Sequence, residues 1–171
     1  MCSLKFYLGT SLEHTVYKAE GVGLLMGLHL LNGLHRQLTV PTILRSDGEE
    51  AIRALDNQRV HSGQYIFDVI HLAAKFLHAK QDGLINRVER QRQIEAGKVW
   101  SGNHKGIVDL QVHWVPGHCD FEPNKRANEE AKSAVQDSMS EARFLPQLLC
   151  KSLSLSVSAL WQSFADKLKN R

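Results

Sequence analysis

The 171 residues suit one domain with a short appendage, and the 43% hydrophobic and 23% charged fractions are ordinary for a globular core. A net charge of +3 permits nucleic-acid contact without arguing for it, and three scattered cysteines, Cys2, Cys119 and Cys150, exclude a disulfide framework or a cysteine zinc site. No apolar run approaches the roughly 20 residues that span a bilayer, and the N-terminus does not read as a signal peptide, so an intracellular protein without a membrane partner is expected.

In chain order, Leu4, Phe6 and Leu8 alternate with Lys5 and Tyr7, which predicts a short strand with one apolar face. Thr15 to about His35 reads as a helix whose inner stripe is Val22, Leu25, Met26, Leu28, Leu31 and Leu34. Its glycines weaken it but can let it lie close against a sheet. Glu20, in its first half, is either a solvated surface carboxylate or a site residue. Pro41 to Leu44 predicts a second strand, and Ser46 with Glu49 has capping-box spacing for a helix from Glu49 to Leu55. Asp47 therefore stands where a strand's carboxyl end meets a helix start. Ligands and catalytic groups gather there in open α/β sheets, although a carboxylate can equally serve only the helix dipole.

Tyr65 to Ala79 predicts an amphipathic helix with Ile66, Val69, Ile70, Ala73, Phe76 and Leu77 inward. Arg87 to Lys98 mixes both charge signs and reads as a solvated helical face, with phosphate contact as the alternative. Val108, Leu110, Val112 and Trp114 alternate with polar residues and predict a strand, which Pro116-Gly117 ends. Asn124 is placed to cap the next helix. After about Ser138 the chain turns serine- and leucine-rich and ends in Lys167-Leu168-Lys169-Asn170-Arg171, read as a helical appendage over 139–171 beside a domain over 1–138. Strands joined through helices imply a parallel α/β sheet, and acids converging from a helix and a strand end can hold hard divalent cations.

Four motifs occur in order: Thr15-Val16-Tyr17-Lys18-Ala19-Glu20, Ser46-Asp47, Trp114-Val115-Pro116-Gly117-His118, and Asn124-Lys125-Arg126-Ala127-Asn128-Glu129-Glu130-Ala131-Lys132. Together they resemble the type 1 ribonuclease H domain at the C-terminus of fungal non-LTR retrotransposon polyproteins, over residues 4 to 137. The resemblance implies a three-layer α/β/α fold with a mixed sheet. It also implies hydrolysis of the RNA strand of RNA–DNA hybrids by two magnesium ions on four carboxylates. Glu20 and Asp47 match two of those carboxylates, His118 matches the mobile histidine that assists, and Asn124 matches the substrate-side asparagine of the last helix. Asn128 stands where the family has a metal-binding aspartate, and an amide brings an oxygen ligand without charge. Glu129 and Glu130 lie about 100° and 200° further round the helix and do not replace it. The chain starts at the family's third strand, so the first two strands, with their aspartate, are expected to be missing. A nucleic acid, RNA–DNA hybrid foremost, is the implied partner, and a nuclear setting would suit such an element. The alternatives are a degenerate domain that binds nucleic acid without cutting it, and an interaction module that works through its tail.

Overall fold

The computed structural model describes residues 3–57, 62–100, 108–117, 122–136 and 139–169. Helix α1 runs from Val16 to Gly33, opened by Thr15, whose hydroxyl accepts from the Lys18 amide. Strand β1 is Thr42–Ser46, helix α2 Glu49–Asp56, helix α3 Gln64–Glu95, strand β2 Leu110–Trp114 and helix α4 Glu122–Ala134. Two 3-10 turns, Ala142–Phe144 and Gln147–Cys150, lead to helix α5, Val157–Lys169. The class is mixed α/β and mainly helical.

The sheet within the described residues is one parallel pair. Thr42 faces Leu110, Leu44 faces Val112 and Ser46 faces Trp114. Two further bonds extend the ladder: the Thr42 amide donates to the Asp109 carbonyl at 2.8 Å, and the Val115 amide donates to the Ser46 carbonyl at 3.0 Å. Because the strands are parallel, the carboxyl ends of both, and the two loops that leave them, lie at one edge.

Burial selects the helix faces. On α1, Val22, Leu24, Leu25 and Leu28 are buried, and they pack with Ala51 and Ala54 of α2 and Ile66, Phe67, Ile70 and Leu77 of α3 in one core. Gly27 permits the close approach to the sheet expected of this helix, and Gly21 permits one to α3. A Cβ at Gly21 would stand 3.2 Å from the Phe67 ring, and one at Gly27 would stand 3.1 Å from a Leu44 methyl.

Three expectations are corrected. Residues Leu4 to Leu8 form no strand; Phe6 and Leu8 pack against the core in irregular extended chain. Their backbone polarity is met by the tail instead: the Lys5 amide donates to the Ser140 hydroxyl, and the Ser140 amide to the Lys5 carbonyl, both at 2.9 Å. Lys5 also pairs with Glu130 of α4 at 2.8 Å. Second, the amphipathic helix does not stop near Ala79. It continues through the charge-mixed segment as a single helix of 32 residues, about 48 Å long at 1.5 Å per residue. No proline interrupts it, and Gly83 costs only about 1 kcal/mol. Third, Phe76 is 64% exposed, while Phe67 is fully buried and stacks on Tyr17 at 5.0 Å between ring centroids.

The tail is fastened to the same core. Leu145 and Leu149 are buried in it, and Leu148 and Leu153 pack against it. The Ser156 amide donates to the Glu13 carbonyl at 2.7 Å, and the buried Lys18 ammonium donates to the Ser154 carbonyl at 2.9 Å. Among the described residues, no helix is long and apolar enough to cross a membrane.

Candidate active site

Glu20 lies in the second turn of α1, and Ser46 is the last residue of β1. The Ser46 hydroxyl donates to Glu20 Oε2 at 2.8 Å and accepts from the Gly48 amide at 3.1 Å. Ser46 thus does not cap α2 as its spacing with Glu49 suggests. The N-cap is Gly48, which makes no side-chain cap bond, and Ser46 orients the glutamate instead. Gly48 has a steric reason to be glycine: a Cβ there would stand 2.5 Å from Glu20 Cγ and 2.8 Å from its Cβ.

Asp47 occupies the turn between β1 and α2. Its backbone carbonyl accepts from the Trp114 indole at 3.1 Å, so the last residue of β2 fixes the turn after β1. Gly117 approaches the carboxylate so closely that a Cβ would stand 2.6 Å from Asp47 Oδ2. Asn124, in the first turn of α4, extends its amide toward both: Nδ2 donates to the Gly117 carbonyl at 3.3 Å and reaches Asp47 Oδ2 at 3.5 Å. α4 begins at Glu122, so Asn124 is inside the helix rather than its cap. Its side chain, freed from capping, ties α4 to the strand ends.

Asn128, one turn further along α4, lines an open cleft of about 630 Å³ with Asp47, Gly117, Ala131, Lys132 and Val135. Glu20 stands on the other side of Ser46, close enough for the Asp47 charge to act on it. Burial first, and then that neighbouring negative charge, push the Glu20 carboxyl above its ordinary value, while the Ser46 hydrogen bond pulls the other way. Four of the five sequence-predicted site residues therefore meet at one edge: Glu20, Asp47, Asn124 and Asn128. His118 lies outside the described residues.

Chemically, the edge offers two carboxylates and two amides, with the Lys132 ammonium on the wall of the cleft. Adjacent carboxylates of this kind bind hard cations through oxygen. Among the described residues, no three His, Cys, Asp or Glu side chains gather tightly enough to hold a metal ion. Sequence reasoning missed Ser46 as a partner of Glu20, Trp114 as the clamp on Asp47, and the two glycines as spacers. Ser-Asp-Gly after a strand carried the signal, but it reads equally well as a helix cap.

Comparison of the chain with protein-family models, with curated proteins and with solved structures gave no match.

Proposed function

We propose that this chain is a ribonuclease H-like domain of retroelement origin that engages RNA–DNA hybrid or related nucleic acid at the Glu20–Asp47 edge, with its hydrolytic activity impaired. The observation that carries the reading is the convergence of Glu20 and Asp47 with Asn124 and Asn128 at the carboxyl ends of two parallel strands.

The donor set fits one divalent cation better than two. Burial, and after it the neighbouring Asp47 charge, disfavour the charged form of Glu20, and a bound cation would offset both, which would favour binding. Glu20 and Asp47 would hold magnesium, with the Asn128 amide as a neutral oxygen ligand. When bound, such an ion neutralises charge on a phosphodiester and positions water for attack. A two-ion site spreads that role over more negative charge than the described residues supply. Ser46 sets the Glu20 rotamer, and the Asn124 amide holds Asp47 against the Gly117 turn.

A second reading, binding without cutting, is favoured by Asn128 and by Lys132. The first lowers the negative charge of the cleft, and the second brings a cation that pairs with a phosphate oxygen directly.

Cleavage of a labelled RNA–DNA hybrid in magnesium or manganese, beside the Asp47→Asn variant, tests both readings. Slow cutting that the variant abolishes supports impaired hydrolysis. Salt-sensitive binding without cutting supports the second reading, and absence of both overturns the assignment.

A further inference from the structure

Among the described side chains of helix α5, those buried against the domain lie at its first turn. Ser156 and Ala159 are buried, whereas Leu160, Trp161 and the residues from Phe164 to Lys169 are exposed. An isolated helix of 13 residues is marginal in water and normally owes its stability to packing of an apolar face. That face exists. Val157, Leu160, Trp161, Phe164 and Leu168 recur at helical spacing and are 47–68% exposed. Trp161 and Phe164 meet edge to face, 6.3 Å between centroids, at its centre.

The spacing of this stripe identifies what covers it. Val157, Trp161, Phe164 and Leu168 follow one another by four, three and four residues, the seam of a helix pair. The seam is also symmetric. Trp161 and Phe164 are equidistant from a midpoint between residues 162 and 163, and Val157 and Leu168 are equidistant from the same midpoint. Laid antiparallel against its own copy, each tryptophan meets the other copy's phenylalanine, and each valine the other copy's leucine. Charge favours the same arrangement. A parallel pair would gather Lys167 and Lys169 of both copies at one end, whereas the antiparallel pair sends them to opposite ends beside uncharged serine. A lipid surface is the poorer fit, because the polar face carries Asp166 and has its two lysines confined to the last turn rather than spread along it.

We propose that α5 forms an antiparallel pair with α5 of a second copy of this chain, joining two domains about a two-fold axis. The five side chains of both copies offer roughly 1,000 Å² between them, the size of a weak, reversible interface. The dimer is a weak one and stands apart from the Glu20–Asp47 edge, so its failure leaves the proposed function untouched.

Sedimentation equilibrium of the full chain across a concentration series tests this, with Trp161→Glu and Lys167→Gln alongside. The expected result is a monomer–dimer equilibrium that Trp161→Glu weakens by roughly tenfold or more, as loss of a central aromatic anchor does. Lys167→Gln and moderate salt should leave its midpoint nearly unchanged. Far-UV circular dichroism and the melting temperature of Trp161→Glu should show the domain intact. A monomer at every concentration overturns the proposal, as does a dimer indifferent to Trp161→Glu. A dimer that strengthens steeply with salt overturns the antiparallel arrangement. Binding of the monomer to phosphatidylcholine–phosphatidylserine vesicles would assign the stripe to lipid instead.

Discussion

The Ser46 hydroxyl donates to the Glu20 carboxylate at 2.8 Å while accepting from the Gly48 amide at 3.1 Å, so one side chain couples the first helix to the turn that carries Asp47. Ser46 is 8% exposed, and neither bond is replaced readily by water. Ser46→Ala leaves a half-buried carboxylate and a backbone amide without their partner. Such a loss costs about 1–3 kcal/mol when the groups stay buried. The expected outcome is a lower urea midpoint with an unchanged m-value, and a Glu20 titration shifted further upward when followed by carboxyl NMR.

Glu20 itself makes the domain less stable at neutral pH. Its carboxyl titrates above the ordinary glutamate value because burial and Asp47 disfavour the charged form. In the window between the unfolded and the folded value, the native state holds more protons than the unfolded state, so stability falls as pH rises through it. The contribution is fully favourable below the unfolded value and is lost above the folded one. Glu20→Gln keeps an oxygen that accepts from Ser46 and removes the charge. Its denaturant midpoint should equal or exceed the parent's at neutral pH, and the parent's fall between acid and neutral pH should be smaller in the variant. Added magnesium should stabilise the parent more than the variant; equal stabilisation of the two would argue against a cation at Glu20.

The two site glycines should respond differently to alanine. At Gly48 the added Cβ meets Glu20 Cγ and Cβ, near the root of the side chain, where rotation gives little relief. At Gly117 it meets chiefly the terminal Oδ2 of Asp47, which a small rotation can clear. Overpacking typically costs about 1–3 kcal/mol. Gly48→Ala should lie toward the upper part of that range and Gly117→Ala toward the lower, measured by thermal melting. Gly117→Ala should nevertheless disturb the Asn124 amide resonances, since Asn124 reaches both Gly117 and Asp47.

Periodicity made α1 and β2 legible in the sequence, a short apolar run marked β1, and Ser46–Glu49 spacing marked α2, although Gly48 and not Ser46 is its N-cap. The Leu4–Leu8 alternation misled for a physical reason. A period of two marks an extended chain with one buried face, and such a chain can pair with a tail as well as with a sheet. The change from amphipathic to charged composition resembles a boundary within α3, yet the helix runs on through Gly83, anchored just before it by buried Leu77 and by Gln81, whose amide bonds the Leu38 and Arg36 backbone. At the candidate site, Glu20 and Asp47 could be named from motif order. The Ser46 bond to Glu20 and the Trp114 bond to Asp47 could not, since each joins groups whose proximity only the fold creates.

Lys18 supplies the last prediction. Its side chain is 1% exposed, donates to the Ser154 carbonyl at 2.9 Å and has its ammonium 5.8 Å from the centre of the Tyr65 ring. Burial lowers its pKa, so the native state holds fewer protons than the unfolded state over the window between the two values, and stability there rises with pH. Removing the charge relieves that penalty, and replacing the ammonium breaks the bond that holds the tail to α1. These two effects act on different parts of the molecule. A buried cation replaced by an apolar side chain of similar size is often neutral or stabilising to the surrounding core, so Lys18→Met should melt near the parent temperature. The Ser154 carbonyl, however, loses its donor, leaving the Ser156–Glu13 backbone bond to hold the segment before α5. Limited proteolysis should therefore cut between Ser152 and Ser158 faster in Lys18→Met than in the parent, under conditions where the core remains folded. Unchanged cleavage would show that apolar packing of Leu149 and Leu153, rather than the lysine, retains the tail.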